Sequence, residues 1–397
     1  MSPSPNSPHG PDGPGGPDGP GGPDGPRLAV VGNPGHRRVE LFTDAALAAG
    51  LAAPRLLAWR DVLCGGAEFE PGETVRIESP GEDHEVDELL RGAGDPARVE
   101  GTARWYARFT EAVRGVAKAA RTAGATLLDD PGELAVQFDK RLCHGVLDAA
   151  GVPVPYSPTS GPQALEVRGW DDVRAALGED GMHRAFVKLA HGSSASGVLA
   201  VEYAGPGRIR ATTSVERAED GSLFNSLRVR RYDAEREIAS IVDTLAPDGL
   251  HIERWVPKAS QARRAADLRV VVIGGRATHA VVRTSRSPMT NLHLGGVRGD
   301  LAAARAAAEA AGVAWSTVLG TAERAAARFP GTLCVGVDLL PGTGWRRFVV
   351  GEVNAFGDLL PRLTGLTGSG AEGQDTYAAQ VAAVVRAHEE ARHDALL

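Results

Sequence analysis

The sequence predicts a mixed α/β and α+β protein, and three observations carry that expectation. From Leu28 to Arg91, short apolar runs alternate with amphipathic stretches of helical period, the pattern of a parallel, doubly wound sheet. Beyond Ala185 the apolar runs come in pairs joined by turn residues, with Glu219-Asp220-Gly221-Ser222 and Gly274-Gly275 as the clearest turns. Near the end, Leu333–Leu340 and Phe348–Val353 form a further pair around a Pro-Gly-Thr-Gly turn, interrupted by Asp338, Glu352 and Asn354.

Composition sets the outer bounds. A chain of 397 residues, 43% hydrophobic and 23% charged, can bury two or three ordinary cores. Its net charge of −7 argues against a nucleic-acid partner, because neutralising phosphates wants a basic face. Cys64, Cys143 and Cys334 are scattered without pairing or zinc-ligand spacing, which fits a reducing compartment and a cytoplasmic location. No apolar run reaches membrane-spanning length, and the N-terminus lacks the basic-then-apolar layout of a signal peptide, so no membrane partner is expected.

Residues 1–26 are almost all Gly, Pro, Ser and Asp; nothing in them can be buried to offset ordering entropy, so a disordered tail is expected. Folded sequence starts at Arg27. Leu28–Gly32 reads as a buried strand leading through Asn33-Pro34-Gly35 into a helix over 37–49, and the alternation continues with strands at 55–58 and 74–77 and a helix over 82–91. The first turn lacks the three-glycine spacing of a dinucleotide fingerprint. A long helix over 101–123 takes Trp105, Tyr106 and Phe109 to the core, and a strand at 125–131 completes an N-terminal domain of residues 27–130.

One helix over 137–151 then carries Lys140 and stops at Gly151 and Val-Pro-Val-Pro. The strand over 185–190 presents Lys188 and runs into a loop from His191 to Gly197. There Gly192, Ser193, Ser194 and Gly197 offer backbone N–H groups, hydroxyls and close approach to phosphate oxygens. Residues 203–250 hold two β-rich runs with alternating Arg and Glu, suggesting an exposed sheet extension, and a helix over 233–244. A strand over 251–256 follows, then a hairpin over 267–286 and a loop gathering Asn291, His293 and two glycines. Alanine-rich helices over 301–311 and 316–328 and a last amphipathic helix over 374–392, packed on the outside, complete the chain.

The acidic hairpin is the centre of the functional reading. Glu352 and Asn354 are two apart and share a strand face. For Asp338 to face Glu352, Leu340 must oppose Val350, with Pro341–Val349 looped or bulged. Two carboxylates and an amide oxygen on one face are hard ligands of the kind Mg²⁺ takes beside nucleotide phosphates. Taken alone, the stretch reads equally well as a half-buried hairpin with a wet polar face.

The order of the pieces settles the choice. Lys140, Lys188 with its glycine loop, Glu253-x-Trp255-Val256, Asp267-Leu-Arg, Asn291-x-His293-x-Gly-Gly, Gly-Val-Asp338 and Glu352-Val-Asn354 resemble the ATP-grasp superfamily over roughly residues 28–390. The likeness is strongest to the branch of ribosomal-protein glutamate ligases. It implies two α+β subdomains clamping ATP, within residues 131–397, behind an N-terminal Rossmann-like domain, with an extra hairpin inserted around 203–250. By position it implies that Lys140 and Lys188 contact the phosphates and that His191–Gly197 covers them. Glu253 with the Trp255–Val256 backbone would hold the adenine edge, and Asp267 the ribose. Arg283 and Asn291 would touch the γ-phosphate or the reacting carboxylate; His293, in the same loop, is the candidate catalytic base on the reading of the residues alone. Asp338, Glu352 and Asn354 would hold two Mg²⁺ ions, with Mn²⁺ as a substitute.

The activity implied is ATP-dependent joining of a carboxylate substrate to an amine or thiol acceptor, whether small molecule, peptide or protein, through an acyl phosphate. A phosphotransferase and an ATP-binding regulatory protein without turnover are the alternatives. Two departures, the longer 203–250 segment and Ala355-Phe356-Gly357-Asp358 where the family commonly has Ser-Pro-Gly, lie where substrate rather than ATP would be met.

Overall fold

The computed structural model describes residues 25–396 apart from 93, 96, 179–181, 193–195, 206, 291, 358, 359 and 361, and leaves the side chains of residues 293, 395 and 396 undescribed. The tail expectation therefore falls almost wholly outside the described residues. Strands β1 (Arg27–Gly32), β2 (Arg55–Ala58), β3 (Glu73–Ile77) and β4 (Thr126–Leu127) form a parallel sheet in the order β2-β1-β3-β4. The period of two along β1 sends Leu28 and Val30 into one core and Ala29 and Val31 into another. Helix α1 (Arg37–Ala48) covers the first face, and α2 (Trp59–Gly65), α3 (His84–Arg91) and α4 (Thr102–Ala123) cover the second. The sequence reading contained no α2, whose seven residues end in glycines. Phe109 is fully buried as expected, whereas Trp105 and Tyr106 are half-buried.

The helix expected over 137–151 begins three residues later, and a separate short helix that the sequence reading did not contain precedes it. Helix α5 (Pro131–Gln137) ends, and Asp139 caps a new helix, α6 (Lys140–Ala149), by accepting from the N–H groups of Arg141 and Leu142. Lys140 thus stands at the first position of α6, its backbone N–H donating to the Ala190 carbonyl at 2.9 Å.

Helix α7 (Trp170–Gly178) precedes the second sheet, β5 (Arg184–Leu189), β6 (Leu199–Tyr203), β7 (Ile209–Arg217), β8 (Leu223–Tyr232) and β9 (Leu250–Arg254), antiparallel in the order β8-β7-β6-β5-β9. Its apolar face packs on α7 and on α8 (Glu235–Leu245). Along β7 and β8 the register jumps from Val215↔Asn225 to Thr213↔Arg230, so residues 226–229 swing out of the ladder and Leu227 is 76% exposed. The third sheet consists of β10 (Ser260–Gln261), β11 (Arg264–Ile273), β12 (Arg276–Ser285), β13 (Val297–Arg298), β14 (Cys334–Pro341) and β15 (Phe348–Ala355). Its order is β13-β12-β11-β14-β15, with β10 paired to β11. Helices α9 (Leu301–Ala310) and α10 (Trp315–Ala326) back it with small Ala faces. Helix α11 (Thr376–Leu396) returns to the first sheet, burying Tyr377, Val381 and Val384 beside α1, while Arg76 of β3 donates to Gln380 at 2.5 Å. Among the described residues no helix is long and apolar enough to cross a membrane.

Candidate active site

The second and third sheets and α6 enclose a cleft of about 350 Å³, open mouth included, onto which Lys140, His144, Lys188, His251, Glu253 and Glu352 face. Strand pairing explains why these side chains meet. On β5 and β9, Lys188 lies opposite His251 and Phe186 opposite Glu253, so Lys188, His251 and Glu253 share one face. Lys188 Nζ contacts Glu253 Oε1 at 2.5 Å and His251 Nε2 stands 3.5 Å from Glu253 Oε2. Burial would raise the Glu253 carboxyl, but the Lys188 ammonium and the His251 ring outweigh it and hold it at about 2. Burial likewise opposes the Lys188 ammonium, and the charges of Glu253 and Glu352 raise its pKa nonetheless.

A second charged row crosses the third sheet. Asp267 lies opposite Arg283, Arg269 opposite Asp338, and Asp338 opposite Glu352, so one face of four strands carries them all. Asp338 and Glu352 face each other as the sequence required, but by another route. Leu339 opposes Val350, not Leu340, and Gly351 is the extra residue of a β-bulge; pairing then continues to Pro341↔Phe348. Asn354 shares this side opposite Gly336 and donates to its carbonyl at 3.1 Å.

The row is tightly paired. Arg269 spans both oxygens of Asp338, with Nη2 at 2.9 Å from Oδ2, and Arg283 Nη2 reaches Oδ1 at 2.9 Å. Against the cost of burial, these two guanidinium groups push the Asp338 carboxyl far below its usual range. Arg283 Nε also donates to Asp267 Oδ1 at 2.8 Å. The other Asp267 oxygen accepts from the Thr290 hydroxyl and lies 3.5 Å from Lys258 Nζ, which bonds Thr290 Oγ1 at 2.9 Å. Asp267 is thus held by Arg283, Thr290 and Lys258 together. Burial lowers the Lys258 pKa.

Lys140 ties the two rows together. Its ammonium contacts Glu352 at 2.8 Å and donates to the carbonyl of Gly192 at 2.5 Å, joining α6, β15 and the glycine loop. At the far end of that loop Gly197 has φ +66°, and a Cβ there would stand 2.5 Å from Leu189, so only glycine fits. His191 stacks on Tyr106 with ring centroids 3.9 Å apart and bonds the Phe138 carbonyl at 3.2 Å, on the α4 side of the loop. Trp255 tilts against Phe186, and its N–H already donates to the Arg184 carbonyl at 3.0 Å; Val256 is buried beside it. Ser193, Ser194 and Asn291 lie outside the described residues; His293 falls in a short turn of 3₁₀ helix, Leu292–Leu294, with its side chain undescribed.

Sequence reasoning missed Lys258, Thr290 and His251. Lys258 stands in a short polar connection where a lone lysine reads as solvated. His251 alone carried a usable signal, being two residues from Glu253 on the same strand face. Among the described residues no three His, Cys, Asp or Glu side chains gather for a metal; the candidate set is two carboxylates and an amide. Those oxygens fit Mg²⁺ in kind, and the cations now on Asp338 and Glu352 mark both carboxylates as sites that demand positive charge.

No family model matches the sequence, and no curated protein does. Solved structures match across nearly the whole chain. D-cycloserine synthetase DcsG is 16% identical, with 91% of this chain and 99% of that chain covered at a TM-score of 0.54. The ATP-grasp ligase PsnB complexed with a minimal precursor is 16% identical, with 91% and 99% covered at 0.52. PsnB with minimal precursor, Mg and ADP is 15% identical, with 91% and 97% covered at 0.51.

Proposed function

We infer that this chain, which has the ATP-grasp fold, is an ATP- and Mg²⁺-dependent ligase that joins a carboxylate to an amine or thiol through an acyl phosphate. The observation that carries the reading is the meeting of Lys140, Lys188 and Glu352 from three elements around one cleft, with Asp338 facing Glu352 in register and Arg283 paired to Asp338 behind it. Two lysines and an arginine supply fixed positive charge for a polyphosphate, and transfer of its terminal phosphoryl group is chiefly a matter of positioning and charge neutralisation. Asp338, Glu352 and Asn354 would hold Mg²⁺, which when bound neutralises phosphate charge beside them.

In the reaction, a substrate carboxylate oxygen attacks the γ-phosphorus and ADP leaves. The acceptor nitrogen or sulfur then attacks the acyl carbon, gives up its proton, and inorganic phosphate leaves. Lys140 would hold the glycine loop, through Gly192, over the phosphates, and Lys188 would contact the phosphates close to the adenine. Arg283 would meet the transferred group from beside Asp338. Sheets closing from two sides exclude water that would hydrolyse the acyl phosphate. The N-terminal sheet, parallel and wound on both faces, is the Rossmann-like part of this arrangement.

The acceptor class is open, since the similar proteins include a D-cycloserine synthetase and a ligase complexed with precursor peptide. The test is isotopic. With ¹⁸O in the substrate carboxylate, one labelled oxygen should appear in the released phosphate, in proportion to ADP and to new amide or thioester. Label staying out of the phosphate overturns the acyl-phosphate route, and a stable phosphorylated product would indicate a phosphotransferase.

A further inference from the structure

His251 is a buried ring on the cleft face that the proposed chemistry does not use. Its hydrogen bonds fix which nitrogen carries the proton. Nε2 faces the Glu253 carboxylate, an acceptor with no proton to offer, so Nε2 must be the N–H. On the other side, Thr159 Oγ1 accepts from the Ile252 N–H at 2.9 Å and lies 3.0 Å from His251 Nδ1. The Thr159 hydroxyl also lies 3.1 Å from Ser157 Oγ and 3.4 Å from the Ile252 carbonyl, but Nδ1 of a neutral Nε2–H ring can only accept, so at 3.0 Å the hydroxyl donates to it. The chain therefore runs in one direction, from Ile252 N–H through the Thr159 hydroxyl and the His251 ring to Glu253, whose other oxygen takes Lys188. Three further groups surround the ring. Ser157 Oγ is 3.5 Å from Nδ1, and His144 sits 5.4 Å away between centroids. His144 is itself engaged, donating from Nε2 to Pro155 O at 2.6 Å and accepting from Ser160 at 2.6 Å, so it does not compete for Glu253. The third is Lys188, directly opposite on β5.

We propose that His251, locked by Thr159 as the neutral Nε2–H tautomer, is a positioning residue that orients the Glu253 carboxylate to read an exocyclic amine, so that the cleft selects a 6-amino over a 6-oxo purine nucleotide. The proposal rests on the nucleotide reading of the cleft. A carboxylate accepts hydrogen bonds at about four lone-pair positions; Lys188 and His251 occupy one on each oxygen and leave the others for a ligand. An acceptor-only group attracts an amine N–H and repels a carbonyl oxygen, and rejection is strong only when the acceptor cannot rotate away. Lys188 alone leaves the carboxylate free to swing about one contact; His251 supplies the second. Burial also lowers the pKa of His251, which keeps the ring neutral and its tautomer single across the physiological range.

The experiment uses the full chain with ATP–Mg²⁺ and ITP–Mg²⁺, whose bases differ in the 6-substituent, measured by calorimetry. The wild type should favour ATP by about tenfold or more. His251→Phe and Thr159→Val should each shrink that ratio by about three- to tenfold, although Thr159 is one step removed from the carboxylate, and Thr159→Ser should restore it. A ¹⁵N-histidine spectrum of the wild type should show His251 as the neutral Nε2–H form; an Nδ1–H tautomer or an imidazolium overturns the proposal, and this measurement needs no variant to fold. Weakening of ATP and ITP by the same factor in His251→Phe would mean a merely structural ring and would also overturn it. Binding of neither nucleotide by the wild type overturns the ligase reading together with this one, whereas ATP binding with an unchanged ratio overturns this one alone.

Discussion

The cleft holds two lysine–carboxylate pairs that differ in their access to water. In the Lys188–Glu253 pair the side chains are 15% and 5% exposed, and His251 braces the carboxylate from behind. In the Lys140–Glu352 pair the carboxylate is 33% exposed and stands beside the backbone bulge at Gly351. A dry, doubly held carboxylate is a fixed recognition element, since moving it strands a buried charge. A wetter one on an irregular strand can exchange its lysine for another cation at small cost. Asp338 is the extreme of the first kind in surroundings yet belongs with Glu352 by position, facing it across the hairpin.

That contrast orders the consequences of removing each charge. Asp338→Asn should be the most damaging to the fold, because Arg269 and Arg283 would lose their shared anion inside the sheet. Breaking a buried pair by removing one partner costs about 3–5 kcal/mol. The expected result is a large fall in the denaturation midpoint even without nucleotide. A shift no larger than that of an exposed carboxylate would mean that the arginine row is not closed in solution.

Glu253→Gln comes next. Lys188 keeps the more distant fields of Glu352 and Asp338, so the loss should be smaller, about 2 kcal/mol. The sign of its pH dependence follows from the carboxyl being held at about 2. Stability from this group is complete above the unfolded value of about 4.5 and is lost as pH falls toward 2. Chemical denaturation at pH 7 and at pH 3 should therefore show the gap between wild type and Glu253→Gln narrowing in acid. A gap that widened would remove the ionised carboxylate from the account.

Much of this arrangement was legible beforehand, for reasons that differ by residue. The strands carrying Lys188, Asp338 and Glu352 are near-continuous apolar runs, and a polar residue inside such a run stands out. The Asp338–Glu352 facing was legible too, but the bulge at Gly351 was not, because a bulge leaves no mark beyond a glycine among many. Helix α5 was missed although Asp130 is a good cap and Pro131 suits the first position, because seven residues are too few to display a helical period. Lys258 and Thr290 meet Asp267 only through the third sheet and the loop after β12. Contacts made across loops of irregular course depend on tertiary packing, and local pattern does not carry them.

The smallest effect on stability should come from Glu352→Gln, and here the contrast with Asp338 is sharpest. The two carboxylates are partners in register and both stand in the proposed metal set. Glu352, however, is one-third exposed and shares its lysine with the Gly192 carbonyl, so Lys140 keeps a partner after the change. Solvent screening limits the loss to within about 1 kcal/mol. Catalysis should behave in the opposite way. An amide replaces a charged oxygen ligand by a neutral one, and the charge of the transferring phosphoryl group is then poorly neutralised, so turnover should fall about a hundredfold or more. Nucleotide binding should persist through Lys188 and the glycine loop. The measurements are a melting curve, ATP affinity and ADP release on the same preparation. Near-normal ADP release from Glu352→Gln would remove Glu352 from the metal set. A loss of stability as large as that of Asp338→Asn would erase the distinction between the dry and the wet carboxylate.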